Sequence, residues 1–201
     1  MAQADPGQNA PDFSKTAKPT EDIPAQDSVG KMFDRISPSY AVLNHILSFG
    51  LDFSWRRRLA EKVEQKRRIE LLDLATGSGD LLITVLRKRT NISKAVGLDI
   101  SEKMLDVCRR NLEKAKLAWR AALMQGDAAR TGLPNDSFDV ATMAFGIRNV
   151  PDPSETLAEI FRVLRPGGTA LILEFSLPTN RIIRSIYLFY LRRIVPFIGW
   201  L

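Results

Sequence analysis

The sequence predicts a doubly wound, mostly parallel α/β sheet in three α/β/α layers. Three observations carry this expectation. From Ile69 onward, short apolar runs alternate with amphipathic stretches of helical period, as they do where parallel strands are joined by crossover helices. The first run, 69–75, is dominated by aliphatic residues in the manner of a strand covered on both faces. It opens into a loop with glycines at Gly77 and Gly79, followed by a helix-like segment from Asp80. Such a loop lets a ligand approach the main chain and aims a helix N-terminus at it.

Length and composition narrow the classes. A chain of 201 residues with 45% apolar side chains is one domain with an ordinary core. No apolar stretch reaches the ~18 residues of a membrane-spanning helix, and the N-terminus lacks a signal-peptide pattern. The single cysteine, Cys108, excludes an internal disulfide and a thiolate zinc cage. The single histidine, His45, leaves no second imidazole, so no metal is expected. A reducing, cytoplasmic setting is the expectation. The net charge of +6 gathers in clumps at 56–58, 66–68, 87–89 and 192–193, which suit either solvated helix faces or an anionic membrane surface.

The elements follow in order. Residues 1–28, rich in Pro, Asp, Gln and Ala, read as a disordered tail. Residues 29–67 form an N-terminal helical region. Within it, 29–52 suggests two short helices interrupted at Pro38 and Gly50, and 53–66 an amphipathic helix with Trp55, Leu59 and Val63 on one stripe. The core spans 68–176, with strands at 69–75, 94–99, 122–127, 138–145 and 169–175. Helices are expected at 80–88, at 101–114 with Ser101 as cap, and at 154–164. Pro166-Gly167-Gly168 should end the last helix and turn the chain before the fifth strand. Residues 177–201 open a further C-terminal part, strongly apolar with several arginines.

Open parallel sheets bind ligands at the carboxyl ends of their strands. Those ends hold Asp73 to Asp80, then Asp99, Asp127 and Phe145. Asp99 is suited to the two hydroxyls of a ribose. A dinucleotide is the first alternative, but its fingerprint needs a small residue where Leu82 stands, and Asp80 would repel a pyrophosphate. A cationic ligand without phosphate fits better, and S-adenosylmethionine carries a ribose, an adenine, an ammonium and a sulfonium. Asp73 could instead bond within its own loop, and Asp127 could be a turn residue. Cys108 reads as a packing residue.

The runs LDLATGSGD at 72–80, GLD at 97–99, GDA at 126–128 and RPGG at 165–168 resemble the class I S-adenosylmethionine-dependent methyltransferases. The resemblance implies that Ser78 with the backbone of Gly77 and Gly79 lines the methionine portion, that Asp99 holds the ribose, that Asp127 or Ala128 contacts the adenine, and that Asp73, Thr76 and Ala144 belong to the same cofactor site. Two further runs, SFGL at 48–51 and FGIRNV at 145–150, with Tyr40, Asn44 and the EFS of 174–176, resemble the quinone C-methyltransferases that act on demethylmenaquinol and on a ubiquinol precursor. That family usually carries Gly-Gly-Thr-Gly-Asp in the loop; Ser78 retains the hydroxyl. It also continues with a helix and two further strands after the region of Leu201.

The resemblance implies transfer of a methyl group from S-adenosylmethionine to a ring carbon of a prenylated quinol. Arg148 and Asn149 would stabilise the developing oxyanion, with Tyr40 and His45 relaying the proton directly or through water. The expected partners are the prenylated quinol and a peripheral membrane surface, a homodimer is left open, and nucleic acid is not expected. Other readings are a methyltransferase of another small phenol or amine, and an S-adenosylmethionine-binding domain without activity.

Overall fold

The computed structural model describes residues 48, 50–65, 68–176, 179, 180, 184 and 185. Strands β1 (Ile69–Leu74), β2 (Ile92–Asp99), β3 (Ala121–Gln125), β4 (Phe138–Ala144) and β5 (Leu164–Leu173) form one parallel sheet in the order β3-β2-β1-β4-β5. The chain steps outward from β1 to β3, then returns across β1 to lay down β4 and β5. The order reverses between β1 and β4, so the loops leaving these two strands diverge and open a crevice.

Helices α1 (Leu51–Lys62), α2 (Asp80–Lys88), α3 (Glu102–Lys114) and α4 (Pro153–Val163) complete the layers. On one face Leu71, Ile92, Ala95 and Val140 pack with Leu59 and Val63 of the α1 segment, Leu82, Val85 and Leu86 of α2, and Cys108 and Leu112 of α3. On the other, Leu72, Leu74, Val96, Leu98, Ala141 and Met143 pack with Ile160 and Val163 of α4. Leu71, Leu72 and Leu74 are each 0% exposed, and each contributes on the order of 1.5–3 kcal/mol by burial. Both faces of β1 are therefore apolar, which is why its sequence shows a continuous run rather than alternation.

The helix starts obey local chemistry. Ser101 caps α3 by accepting the Met104 N–H at 3.1 Å. Asp152 caps α4, accepting the Ser154 N–H at 2.7 Å, and Pro153 takes the first helical position, where its missing N–H costs nothing.

Three expectations are corrected. Helix α1 is shifted N-terminally, ending at Lys62 where Val63 turns extended. Its buried side is formed by Asp52, Arg56, Leu59 and Ala60, while Trp55 is only half-buried. The Pro166-Gly167-Gly168 run does not separate helix from strand. Strand β5 begins at Leu164 directly after α4, and the run forms a bulge inside it, the register passing from Phe138↔Leu164 to Val140↔Thr169. Gly167 supplies a φ of 78°, and Arg165 ties the bulge down through Asp139 at 2.8 Å and Glu70 at 3.2 Å. A bulge absorbs residues that cannot join the ladder. Finally, the basic clumps are not uniformly solvated. Arg56 is 5% and Arg89 8% exposed, Lys88 pairs with Glu61 at 2.8 Å, and Arg57, Arg58 and Arg87 remain outward.

The tail at 1–28, nearly all of 29–52 with Tyr40 and His45, and the segment 182–201 apart from 184 and 185 lie outside the described residues.

Candidate active site

The loop leaving β1 forms the floor of the crevice. Its backbone enters the left-handed region at Ala75 (φ 49°), Gly77 (55°) and Gly79 (82°), bending sharply within five positions. Gly79 has no room for a side chain: a Cβ there would stand 2.5 Å from Cys108 Sγ. Cys108 is fully buried beneath the loop, and burial, reinforced by the charge of Asp73, pushes its thiol up to about 12. It is a packing residue, as its place on α3 suggested, and is not a nucleophile.

The acids divide the work. Asp73, at 1% exposure, accepts the hydroxyls of Thr76 and Thr142, each at 2.6 Å. Burial pushes its carboxyl up to about 6, against the pull of those two hydroxyls. It braces β1, β4 and the loop from inside while one edge still lines the crevice. Asp99 accepts the Gly77 N–H at 2.7 Å on one oxygen and the Ser101 N–H at 3.0 Å on the other. A carboxylate offers about four acceptor positions, so holding the loop is compatible with receiving ribose hydroxyls. Asp80 begins α2 and accepts the Ser78 hydroxyl at 2.9 Å. Asp127 accepts the Ala129 N–H at 2.8 Å, placing the buried Ala128 against the crevice.

A second wall descends from β4 and β5. Phe145 is buried with a φ of 58°, a conformation costly for an aromatic residue and characteristic of functional sites. The Asn149 amide donates to its carbonyl at 3.2 Å. The ring of Phe145 stacks on Phe175 at 4.3 Å, and Trp55 of α1 meets Phe175 edge-on at 5.7 Å. Arg148 lies outside the crevice lining. It pairs with Glu174 at 2.5 Å and rests over the rings of Phe175 (5.0 Å) and Phe145 (5.8 Å).

The crevice opens to solvent and is lined by every expected cofactor residue except Gly79, which is held against Cys108. Among the expected catalytic residues, Asn149 lines it, Arg148 stands at its margin and Tyr40 is outside the described residues. Reading the sequence missed Arg56, which lines the crevice, pairs with Asp52, lies 3.7 Å from Asp80 and sits 5.4 Å over the Phe145 ring. The signal was available: Asp52 and Arg56 are four apart on the helix, on the same side as Leu59 and Ala60. The neighbouring Arg57 and Arg58 disguised it as a surface cluster.

The site suits S-adenosylmethionine on its own chemistry. The glycine loop closes on Cys108 without space for a side chain at Gly79, and its carboxylates match a cation and oppose a phosphate. A five-stranded parallel sheet with an acid-rich cofactor crevice at its switch point defines a class I S-adenosylmethionine-dependent methyltransferase.

Comparison with known proteins specifies the class. The profile of the ubiE/COQ5 methyltransferase family matches residues 21–201, and the chain belongs to that family. It is 41% identical over 175 residues to the ubiquinone/menaquinone biosynthesis C-methyltransferase UbiE of Geobacter sulfurreducens, covering 87% of this chain and 68% of that one. It is 41% identical over 170 residues to the demethylmenaquinone methyltransferase of Thermus thermophilus, covering 85% and 76%. A solved S-adenosylmethionine-dependent methyltransferase of Thermotoga maritima is similar at a TM-score of 0.59 and 19% identity, covering 82% and 70%. That likeness speaks for the fold alone.

Proposed function

We propose that this chain transfers the methyl group of S-adenosylmethionine to a ring carbon of a demethylated prenyl quinol. The observation that carries the reading is the acid-lined crevice between β1 and β4, bounded on its far side by the FGIRNV segment, in a chain of the ubiE/COQ5 methyltransferase family. S-adenosylmethionine supplies an electrophilic methyl on a sulfonium. Asp99 orients the ribose, Asp127 and Ala128 flank the adenine, and Ser78 with the loop backbone lines the methionine portion. Holding donor and acceptor in register supplies much of the rate.

Carbon methylation of a hydroquinone requires a ring oxygen with anionic character, which pushes electron density onto the attacking carbon. Arg148 is permanently protonated. It serves as a cation that eases deprotonation of the ring hydroxyl and stabilises the oxyanion, and cannot act as a base. Asn149, already on the crevice wall, adds an amide donor. For the proton itself we assign Tyr40, with His45 as its relay partner. The stacked rings of Phe145 and Phe175 offer the acceptor ring an aromatic face.

A polyprenyl tail keeps the acceptor in a bilayer, so the reading includes docking at a membrane surface through outward cations such as Arg57 and Arg58. No helix among the described residues is long and apolar enough to cross a membrane. The deciding experiment supplies reduced demethylmenaquinone and the demethylated ubiquinol precursor with labelled S-adenosylmethionine. The expected product has gained one methyl on a ring carbon. Cofactor binding without transfer to either quinol would overturn the acceptor assignment. Co-flotation with anionic vesicles, lost at high salt, tests the membrane docking.

A further inference from the structure

We infer that Arg56 is the anchor for the carboxylate of the cofactor's methionine end, and so sets the enzyme's preference for an intact amino-acid group. The inference rests on the S-adenosylmethionine reading of the crevice. The methionine portion is a zwitterion, carrying an ammonium and a carboxylate on one carbon. Asp73 and Asp80 answer the ammonium, but they would repel a carboxylate entering beside them. A cation is needed within the same few ångströms. Among the described residues, Arg56 is the one Lys or Arg lining the crevice.

Its position agrees with the direction in which the cofactor must lie. The sheet order places Asp127 after β3, Asp99 at the end of β2, the glycine loop after β1 and Phe145 after β4. With adenine and ribose toward β3 and β2, the amino-acid end points to the β1–β4 side. Arg56 is there, 3.7 Å from Asp80 and over the Phe145 ring. Acid and base stand side by side, as a zwitterion requires.

The guanidinium is also incompletely satisfied. Arg56 is 5% exposed, pairs with Asp52, and its Nε–H has no partner among the described residues. Buried donors are rarely left in that condition. A planar guanidinium presents five donors in a fork that matches a carboxylate. The Asp52 pair, backed by the Ser48 hydroxyl at 2.8 Å, holds the fork on α1 and neutralises its charge before a ligand arrives. Arg56 then couples α1 to cofactor binding, since α1 also carries Trp55 against Phe175 of the acceptor wall.

The test compares three ligands by titration calorimetry on the full chain. They are S-adenosylhomocysteine, its decarboxylated analogue, which keeps the ammonium, and 5′-methylthioadenosine, which lacks the amino-acid group. The wild type is expected to bind S-adenosylhomocysteine more tightly than the decarboxylated analogue, on the order of tenfold or more. Arg56→Gln should abolish that preference while leaving affinity for 5′-methylthioadenosine within about twofold, and Arg56→Lys should retain part of it. Because Arg56→Gln strands Asp52, the pair Asp52→Asn/Arg56→Gln provides a charge-neutral version, with folding checked by thermal melting. A wild type indifferent to the carboxylate would overturn the inference, and so would variants that weaken all three ligands equally. Failure of the wild type to bind any of the three would overturn the cofactor reading itself.

Discussion

Gly77 and Asp99, 22 residues apart, are joined by a 2.7 Å hydrogen bond in which the glycine N–H donates to carboxylate Oδ2. The other oxygen accepts the Ser101 N–H at 3.0 Å. One carboxylate thus ties the glycine loop after β1 to the start of α3 and faces the crevice between them. Loop shape depends on this side chain, which also lines the crevice.

Asp99→Ala should therefore weaken S-adenosylhomocysteine binding by about 1–3 kcal/mol, with two backbone N–H groups also losing their acceptor. Calorimetry measures the loss, and amide exchange at Gly77 and Ser101 should quicken in the same variant. Unchanged affinity would remove Asp99 from the ribose site.

At Gly79 the backbone φ of 82° and the 2.5 Å approach to Cys108 Sγ act together. Gly79→Ala should destabilise the protein by more than about 1 kcal/mol and depress cofactor binding. Adding Cys108→Ala should recover the part due to the clash but not the part due to the backbone. Chemical denaturation of Gly79→Ala, Cys108→Ala and the double variant separates the two. Full recovery would mean that the left-handed conformation carries no cost.

Arg148 is held at the crevice margin by Glu174 and two aromatic rings. Arg148→Ala should lower kcat by about two orders of magnitude or more, the scale of losing one stabilising donor at an oxyanion. Cofactor affinity should stay near wild type. A parallel loss of both would make Arg148 a structural residue.

Asp73 supplies a pH signature. Its carboxyl, raised from an ordinary 3.8 to about 6 by burial, binds its proton more tightly in the folded state than in the unfolded one. Between those values the folded state holds more protons, so stability falls as pH rises from about 4 to about 6. The full difference is on the order of 3 kcal/mol. Asp73→Asn should remove this contribution. Subtracting the variant's unfolding free energy from the wild type's across that window should give a difference that declines with pH. Parallel curves would contradict the assignment.

The legibility of the sequence followed the range of the forces involved. The strands, α2, α3 and α4 were readable because continuous apolar runs, a serine cap and helical periodicity are local. Asp99 was readable because an acid closing β2 can occupy only one place in a doubly wound sheet. Helix α1 was misplaced by a few residues because its stripe mixes the buried pair Asp52 and Arg56 with aliphatic side chains. The bulge in β5 was missed because Pro-Gly-Gly ends helices and interrupts strands equally well. What decides between them is Arg165 reaching Asp139 and Glu70, partners 26 and 95 positions away.

By itself, then, the sequence determined the sheet, its glycine loop and the acid-bearing strand ends, since these depend on residue order along short segments. Only the tertiary structure decided that Arg56 turns inward while Arg57 and Arg58 turn out, that Asp73 is an internal brace, and that Arg148 waits against Glu174. Those outcomes depend on which distant groups share a buried volume. A charge can be kept there only when neighbours from other elements compensate it.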